Sequence, residues 1–562
     1  MDGGATKNNK VKFSEIIDGK NKAEEIIEIF SSKFLKFDMD ENIQEEEEFL
    51  NELRILWDNE RKFYPRVSAE RLRELIRRLN IGEGHDKIHT IFLRNMSEKL
   101  LQLLSLFMSS SYSHCYVPVK LLNGDINPTI KDAKGNVTES ANYRPVMQSS
   151  NLLKLFEIHM LDIISEKIDF SSRQFGFRKY TSTTDACLLL KETVNQYIVK
   201  KGEKVYGLFV DLSKAFDRVD HILMGKILLK RKLPPDIILF LMHYMRNQKA
   251  RIVWKGIFGE YIHIEKGVRQ GGILSPFLFK LYIDDILLEI CNSNIGCSLG
   301  IMRLNVLAYA DDIVLLGNTV EQLETLYGIL KSGMEQCKLT INKIKTKCMV
   351  FSKHPFDTPS NICLQNDNFE IVFEYKYLGH VIQYNLSDIK DVSFRLNSFY
   401  GKFHWVFRNF KNIAPDVLFF LFKSFCMSEY GLTIWNLGDI LNKQCFKTFK
   451  VAYSNALKKI VDVPVSTSSH AVAEVLDNLL FHHLLTFIQI RYFKRVLKSF
   501  NPILKMLFIN IKNGYLYGNL SKRVKDTYGC DIMLNALDVL RSRIFWVQNH
   551  EPHTGHSITA GR

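Results

Sequence analysis

The sequence predicts an α+β protein, with short strands and helices intermixed through the centre and a long helical tail. Three observations carry that expectation. Two apolar runs end on carboxylates: Gly207-Leu208-Phe209-Val210 on Asp211, and Asn305–Ala308, through Tyr309 and Ala310, on Asp311 and Asp312, after which Ile313–Leu316 resumes. Runs this short, bounded by polar residues, read as buried strands. Around them, stretches such as Ser68–Asn80 and Thr319–Cys337 repeat apolar residues at helical spacing. Beyond residue 390 the spacing is helical almost throughout, with no internal repeat.

In chain order, Ala23–Phe37 has helical spacing, and the acidic run Glu45–Glu48 reads as a solvated helix face or a linker. Ser68–Asn80 opens on a capping serine, and Met96–Met108 is a further helix. Gly124–Ala141, rich in Gly, Asn, Asp, Pro and Lys, reads as a loop. Ser149–Ile168 and Asp185–Lys200 are helical, Lys204–Val210 is a strand, and Asp220–Arg231 is a helix that stops before Pro234-Pro235. Lys249–Trp254 and Tyr261–Ile264 read as a hairpin around Gly256–Gly259. Pro276–Leu288 is helical, Leu304–Ala308 and Ile313–Leu316 form a second hairpin with the acids at its tip, and Lys347–Phe351 is a strand.

The chain has 562 residues and a net charge of +14. Residues 1–60 hold 8 Lys/Arg against 16 Asp/Glu, a net of −8, which leaves +22 for the rest. Residues 391–562 alone carry 22 Lys/Arg against 11 Asp/Glu. A basic body suits a polyanionic partner, because each neutralised phosphate releases counterions. The basic helical tail reads as a separate domain that grips nucleic acid. The ten cysteines are scattered with no Cys-x-x-Cys pair, so neither a disulfide framework nor a zinc module is indicated, and a reducing compartment fits. The first twenty residues are polar, unlike a secretion signal. The most apolar long run, Asp416–Trp435, is interrupted by Lys423 and Glu429 and reads as a buried helix, not a membrane span.

Three acids at the ends of buried strands are costly unless a cation neutralises them. A pair of divalent ions is the simplest answer, and it is the apparatus of nucleotidyl transfer. Because successive strand residues face opposite ways, Asp311 is expected to share a site with Asp211, with Asp312 at the bend. A third segment, Gly267-Val268-Arg269-Gln270-Gly271-Gly272-Ile273-Leu274-Ser275-Pro276, lets backbone approach a flat ligand at its glycines and opens a helix at Ser-Pro.

These three segments, in this order, resemble motifs A, C and B of reverse transcriptases, motif B lying between the other two. Asn142-Tyr143-Arg144-Pro145-Val146 with Lys154-Leu155-Phe156-Glu157 is similar to the opening segment of the non-LTR (LINE-type) retrotransposon enzymes. Gln174-Phe175-Gly176-Phe177-Arg178, followed by Ser182-Thr183-Thr184, resembles their fingers motif. Asn342-x-x-Lys345-Thr346-Lys347 resembles motif D, Tyr377-Leu378-Gly379 the primer grip, and Tyr430-Gly431 with Trp435 a thumb signature. The similarity runs from about residue 65 to 440.

The resemblance implies a right-hand polymerase: fingers at 67–203, a palm with a small antiparallel sheet, inserted fingers part and primer grip at 204–390, and a helical basic thumb and C-terminal region at 391–562. Residues 1–66 are expected to be an acidic, linker-like segment. It implies that Asp211, Asp311 and Asp312 hold two Mg²⁺ ions, with Mn²⁺ able to substitute. Phe216 would be the gate against a ribose 2′-hydroxyl, Gln270 and Gly271 would line the nucleotide site, and Arg178 would reach the triphosphate. Lys345 would protonate departing pyrophosphate, and Tyr377, Leu378 and Gly379 would position the primer end. The implied partners are an RNA template, a DNA primer or nicked target DNA, and dNTPs, with no membrane; the expected location is nucleus and cytoplasm. Nothing sets an oligomeric state.

The chain departs from the pattern at Gly84-His85-Asp86-Lys87-Ile88, where Lys87 stands in place of the family's usual glycine. His85 and His89 are spaced like a metal pair but lack a third ligand. No nuclease is recognisable, and Val547–Arg562 looks unlike the family, so the chain resembles the polymerase segment of an element. Two other readings share these motifs: a group II intron-like maturase, and a catalytically dead RNA-binding remnant.

Overall fold

Alternation in the central strands is resolved in a computed structural model, which describes residues 20–34, 43–59, 65–132, 135–354, 359–427, 432–499, 501–504 and 515–528. The class is α+β, and the chain divides into two units: Met1–Phe170 with Leu212–Asp285 and Gly333–Thr340, and Ser171–Asp211 with Ile286–Ser332 and Ile341–Arg562.

In the first unit, strand Asn123–Ile130 runs antiparallel to Tyr143–Ser149 and parallel to Lys249–Trp254, whose other partners are Ile257–Phe258 and Ile262–His263. The stretch read as a loop from residue 124 is therefore a strand as far as Ile130. Its Gly, Asn and Pro have low strand preference, but partners far along the chain fix it. Pro128 sits past the end of the parallel pairing, which stops at Ile126, so its missing N–H is not needed on that side.

The N-terminal segment is not linker-like where it is described. Helix Lys20–Phe34 sets Ile26, Ile27, Phe30 and Phe34 into the core of this sheet, against Ile126, Tyr143, Met147, Ala250 and Ile252. Helix Ile43–Asn59 presents Phe49 to Gly225, where a Cβ would lie 2.5 Å from the ring. Glu45 of the acidic run pairs with Lys226 at 2.5 Å, and Glu46 with Arg246. Helix Pro235–Arg246, unforeseen beyond its two prolines, has Pro235 in its first turn, where no N–H is needed.

Serine caps open the helices Ala69–Arg78, Glu98–Ser113 and Asn151–Ser165, and Asp220 caps His221–Lys230. Lys87 adopts φ 60°, the conformation a glycine would favour, so the turn survives the replacement. His89 is the N-cap of Thr90–Arg94, its Nδ1 accepting from Ile91 N–H at 3.1 Å, which is a structural role.

In the second unit a six-stranded sheet runs Asn361–Leu364, Asp367–Ile371, Lys347–Phe351, Val205–Val210, Asp312–Gly317, Val306–Tyr309. Val205–Val210 is central and antiparallel to both neighbours. Val205 and Phe209 enter one core, while Leu208 and Val210 are buried on the other face, which accounts for the unbroken apolar run. That core takes in Leu189 and Leu190 of helix Thr183–Asn195, Phe493 and Val496 of Phe481–Leu497, and Val524 of Tyr515–Tyr528. The tail is thus not one separate body: residues 392–485 build a core of their own, but the helices after it complete the core under the sheet. Tyr430, Gly431 and residues 547–562 lie outside the described residues.

His159, His380 and His483 are buried, and burial holds each imidazole down at about 4. Arg71 adds to the shift at His159 against Asp162, and Arg395 and Lys191 add at His380 against Asp391. Lys450, Arg523 and His470 add at His483. The unfolded chain takes up these protons below its ordinary imidazole pKa while the folded chain stays neutral to about 4, so stability falls as pH drops through that window. Denaturant unfolding at pH 7.5 and 5.5 should differ by about 1 kcal/mol per buried histidine. An unchanged midpoint would mean that these rings protonate in place.

Candidate active site

Asp211 directly follows the central strand. Its backbone is clamped by the turn after residue 340: Asn342 N–H donates to the Asp211 carbonyl at 2.8 Å, and Asp211 N–H donates to the buried Thr346 hydroxyl at 3.2 Å. The Asn342–Lys347 pattern therefore acts first as a scaffold for Asp211. Lys345 belongs to the same turn, its Nζ 3.7 Å from Asp211 Oδ2 and largely exposed, a weak, water-screened pair.

The register corrects the expected geometry of the tandem acids. Val210 pairs with Ile313, so the next rung sets Asp211 opposite Asp312, and antiparallel partners share a face. Tyr309 pairs with Asp312, leaving Ala310-Asp311 as the two-residue turn. Asp312 is thus the cross-strand neighbour of Asp211, and Asp311 is the bend residue. Strand alternation could not reveal this, because it does not apply through a turn.

Asp312 is reachable by water yet surrounded by protein. That burial, then Asp311, then Asp211, pushes its carboxyl up to about 7. The charge of Asp312 is therefore disfavoured by both of the other acids. Burial and the charges of Asp312 and Asp211 likewise push the Tyr375 phenol up to about 12. Tyr375 lies on the hairpin Glu374–Tyr377/His380–Gln383 and stacks on Phe209, two residues before Asp211, at 4.5 Å. The turn of that hairpin is Leu378-Gly379, both at positive φ (46° and 83°). Tyr377 is buried in the core at 5.5 Å from Phe209, so its ring anchors the hairpin and only Leu378 and Gly379 form the tip.

The donor set suits a hard divalent cation, being carboxylate oxygen throughout, and an excess of negative charge marks the place. Among the described residues no group of three His, Cys, Asp or Glu is already gathered closely enough to hold an ion. The carboxylates are electrostatically coupled rather than preassembled.

The other predicted residues fall into two sets. Arg178, in the second unit, donates from Nη1 to the Ser171 carbonyl at 3.0 Å and so closes its own loop. Phe216, Gln270 and Gly271 lie in the first unit, where backbone bonds join their segments: Val268 N–H to the Phe216 carbonyl and Gly267 N–H to the Val219 carbonyl, both 2.8 Å. Phe216 is half-buried on a short 3₁₀ turn and stacks on Phe279 at 4.6 Å. Gln270 donates from Nε2 to Asp217 at 2.8 Å, and its carbonyl accepts from Met147 N–H at 2.8 Å. Gly271 has φ 110°, and a Cβ there would meet the Met147 carbonyl at 2.9 Å, so only glycine fits. A small hollow of about 40 Å³ is lined by Gln270, Asp217, Gly267, Met147 and Phe34.

Sequence reasoning missed two supports of this loop. Asp217, six residues after Asp211, was given no role, yet it orients Gln270. Glu157, fully buried, accepts from Tyr244 O–H at 2.5 Å and from Ile273 N–H at 2.7 Å. Its signal was a charged residue on an otherwise apolar helix face.

Residues 131–382 match the family described as reverse transcriptase (RNA-dependent DNA polymerase). The chain carries a reverse transcriptase domain. The match spans both acid-bearing segments, the Gln270 loop and the Tyr377 hairpin. The Pol polyprotein of the type-1 retrotransposable element R2 of Nasonia vitripennis is 26% identical over 57% of this chain and 30% of that protein. The RNA-directed DNA polymerase from mobile element jockey of Drosophila funebris is 25% identical over 71% of this chain and 44% of its own length. A probable RNA-directed DNA polymerase from transposon X-element of Drosophila melanogaster is 23% identical over 64% and 40%. All three relatives are proteins of retrotransposable or mobile elements, and the chain spans less than half the length of each. Reverse transcriptases carry the right-hand polymerase fold, use divalent metal ions and act on an RNA template and a nucleic-acid primer. No described helix is long and apolar enough to cross a membrane.

Proposed function

We propose that the protein is the RNA-directed DNA polymerase of a non-LTR retrotransposon, copying element RNA into DNA by two-metal-ion nucleotidyl transfer. The observation that carries this is the register of the two acid-bearing strands, with Asp211 opposite Asp312 and Asp311 in the turn, inside a reverse transcriptase domain. Asp211, Asp311 and Asp312 would hold two Mg²⁺, or Mn²⁺. Such ions, when bound, acidify a primer 3′-hydroxyl and neutralise charge on the triphosphate and departing pyrophosphate.

The protein's own groups do the rest. Lys345, its Nζ 3.7 Å from Asp211 Oδ2, would give a proton to departing pyrophosphate. Gln270, oriented by Asp217, and Gly271, which keeps backbone clear, would receive the nucleotide and template. Arg178 would exchange the Ser171 carbonyl for a phosphate oxygen. Leu378 and Gly379 would meet the primer end, with Tyr377 as their buried anchor. Fingers at 67–203, palm at 204–390 and thumb from 391 remain the division proposed, with element RNA, a primer or nicked target DNA and dNTPs as partners. Work at a chromosomal target would bring the protein from cytoplasm to nucleus.

Extension of a DNA primer on an RNA template by purified protein with Mg²⁺ and dNTPs tests the reading; RNA binding without extension would support the remnant instead. Phe216→Ala should raise ribonucleotide incorporation relative to deoxynucleotide by at least about tenfold, a difference near 1.4 kcal/mol. Competition between rNTP and dNTP reads this directly, and unchanged sugar selectivity would remove the gate assignment.

A further inference from the structure

The turn bearing Asp311 is held from the side by an uncharged side chain, that of Gln174. Residues 173–175 lie along strand Val306–Tyr309 as a single parallel rung: Ala308 N–H donates to the Arg173 carbonyl at 3.0 Å, and Phe175 N–H donates to the Ala308 carbonyl at 2.8 Å. Gln174, fully buried, extends from this rung to the turn. Its Oε1 accepts from Ala310 N–H and from Gly176 N–H, both at 3.0 Å. Two N–H donors converging on one atom identify it as the amide oxygen.

Ala310 needs such a hold. It sits at φ 56°, a conformation that costs an L-residue, and it is the residue before Asp311. Gly176 closes the clamp, since a Cβ there would stand 2.5 Å from Ala310 N. Packing alone would be served by methionine, without the buried Nε2 that has no hydrogen bond among the described residues. Glutamate would accept both bonds but add a fourth carboxylate near the three aspartates. Glutamine accepts both and adds no charge.

We propose that Gln174 is a positioning residue for the metal-binding carboxylates, fixing the Ala310 turn so that Asp311 and Asp312 meet a divalent cation already placed. This rests on the polymerase reading of those aspartates. The test uses the full chain as wild type, Gln174→Met, Gln174→Glu and Asp311→Asn, with Mn²⁺ binding followed by electron paramagnetic resonance without substrate, and primer extension run separately. Gln174→Met should weaken Mn²⁺ binding about tenfold and lower kcat 10- to 100-fold, leaving the KM for dNTP and RNA affinity within about twofold. Gln174→Glu, with both acceptors kept, should bind Mn²⁺ at least as tightly as wild type. Should Gln174→Met not fold, Gln174→Asn, one methylene too short to reach Ala310, takes its place. Wild-type Mn²⁺ affinity in the Met or Asn variant overturns the inference, as does equal weakening in Gln174→Glu. If wild type binds Mn²⁺ in an Asp311-dependent way but extends no primer, the polymerase reading fails, and the Mn²⁺ titration still decides the role of Gln174.

Discussion

Asp311→Asn should remove dNTP incorporation, lowering kcat on the order of 10³-fold, about 4 kcal/mol of barrier. The substitution keeps the size of the side chain and changes its charge. Asp311 is the bend residue of a two-residue turn, so no strand pairing depends on its side chain, and the fold should survive. What is lost is one of the two carboxylates whose charge acts on Asp312 and, with it, part of the attraction for a hard dication. RNA binding, proposed to rest on the basic surface rather than on these acids, should stay within about twofold at fixed salt. Primer extension beside RNA filter binding separates the two effects. Extension by Asp311→Asn within tenfold of wild type would deny that the aspartates are the reaction centre. Failure of both proteins to extend, with RNA binding intact, would favour the remnant reading.

What could be read in the sequence follows a physical line. Acids ending buried apolar runs are expensive, so Asp211, Asp311 and Asp312 stood out, and their strands formed with the alternation expected. Register is a different kind of information: the Val210–Ile313 rung decides that Asp312 faces Asp211, and nothing local states it. The Asn123–Ile130 strand was lost to its own composition, because pairing with Lys249–Trp254, more than a hundred residues away, overrides weak propensity. In the Gln174–Arg178 segment the conspicuous group is the Arg178 guanidinium. Arg178 binds a carbonyl of its own loop, while the uncharged Gln174 reaches the Ala310-Asp311 turn. Asp388 gave no signal of its partner, since the residues that pair with it include one 197 positions away.

That distant residue is Lys191, and Lys191→Met should destabilise the protein by about 3–5 kcal/mol. Lys191 lies on helix Thr183–Asn195 and is only 4% exposed. Its Nζ donates to Asp388 Oδ1 at 2.7 Å and to the Ile434 carbonyl at 2.9 Å. Asp388 Oδ2 accepts from Asn436 N–H at 2.8 Å. One turn on, Asp391 accepts from Trp435 Nε1–H at 2.7 Å and from Val381 N–H at 2.9 Å, and Arg395 donates to the Gly379 carbonyl. Burying one such pair is only weakly stabilising, but removing the lysine alone strands a carboxylate with no counter-charge. Lys191→Met with Asp388→Asn should therefore recover much of the loss, which a simple packing defect would not do. Urea unfolding of the wild type, the single variants and the double variant measures this. A single-variant cost under about 1 kcal/mol, or a double variant no better than the single, would contradict the account. Because the same helix turn holds Val381 and Gly379 of the Tyr377 hairpin, Lys191→Met should raise the KM for primer–template before that for dNTP.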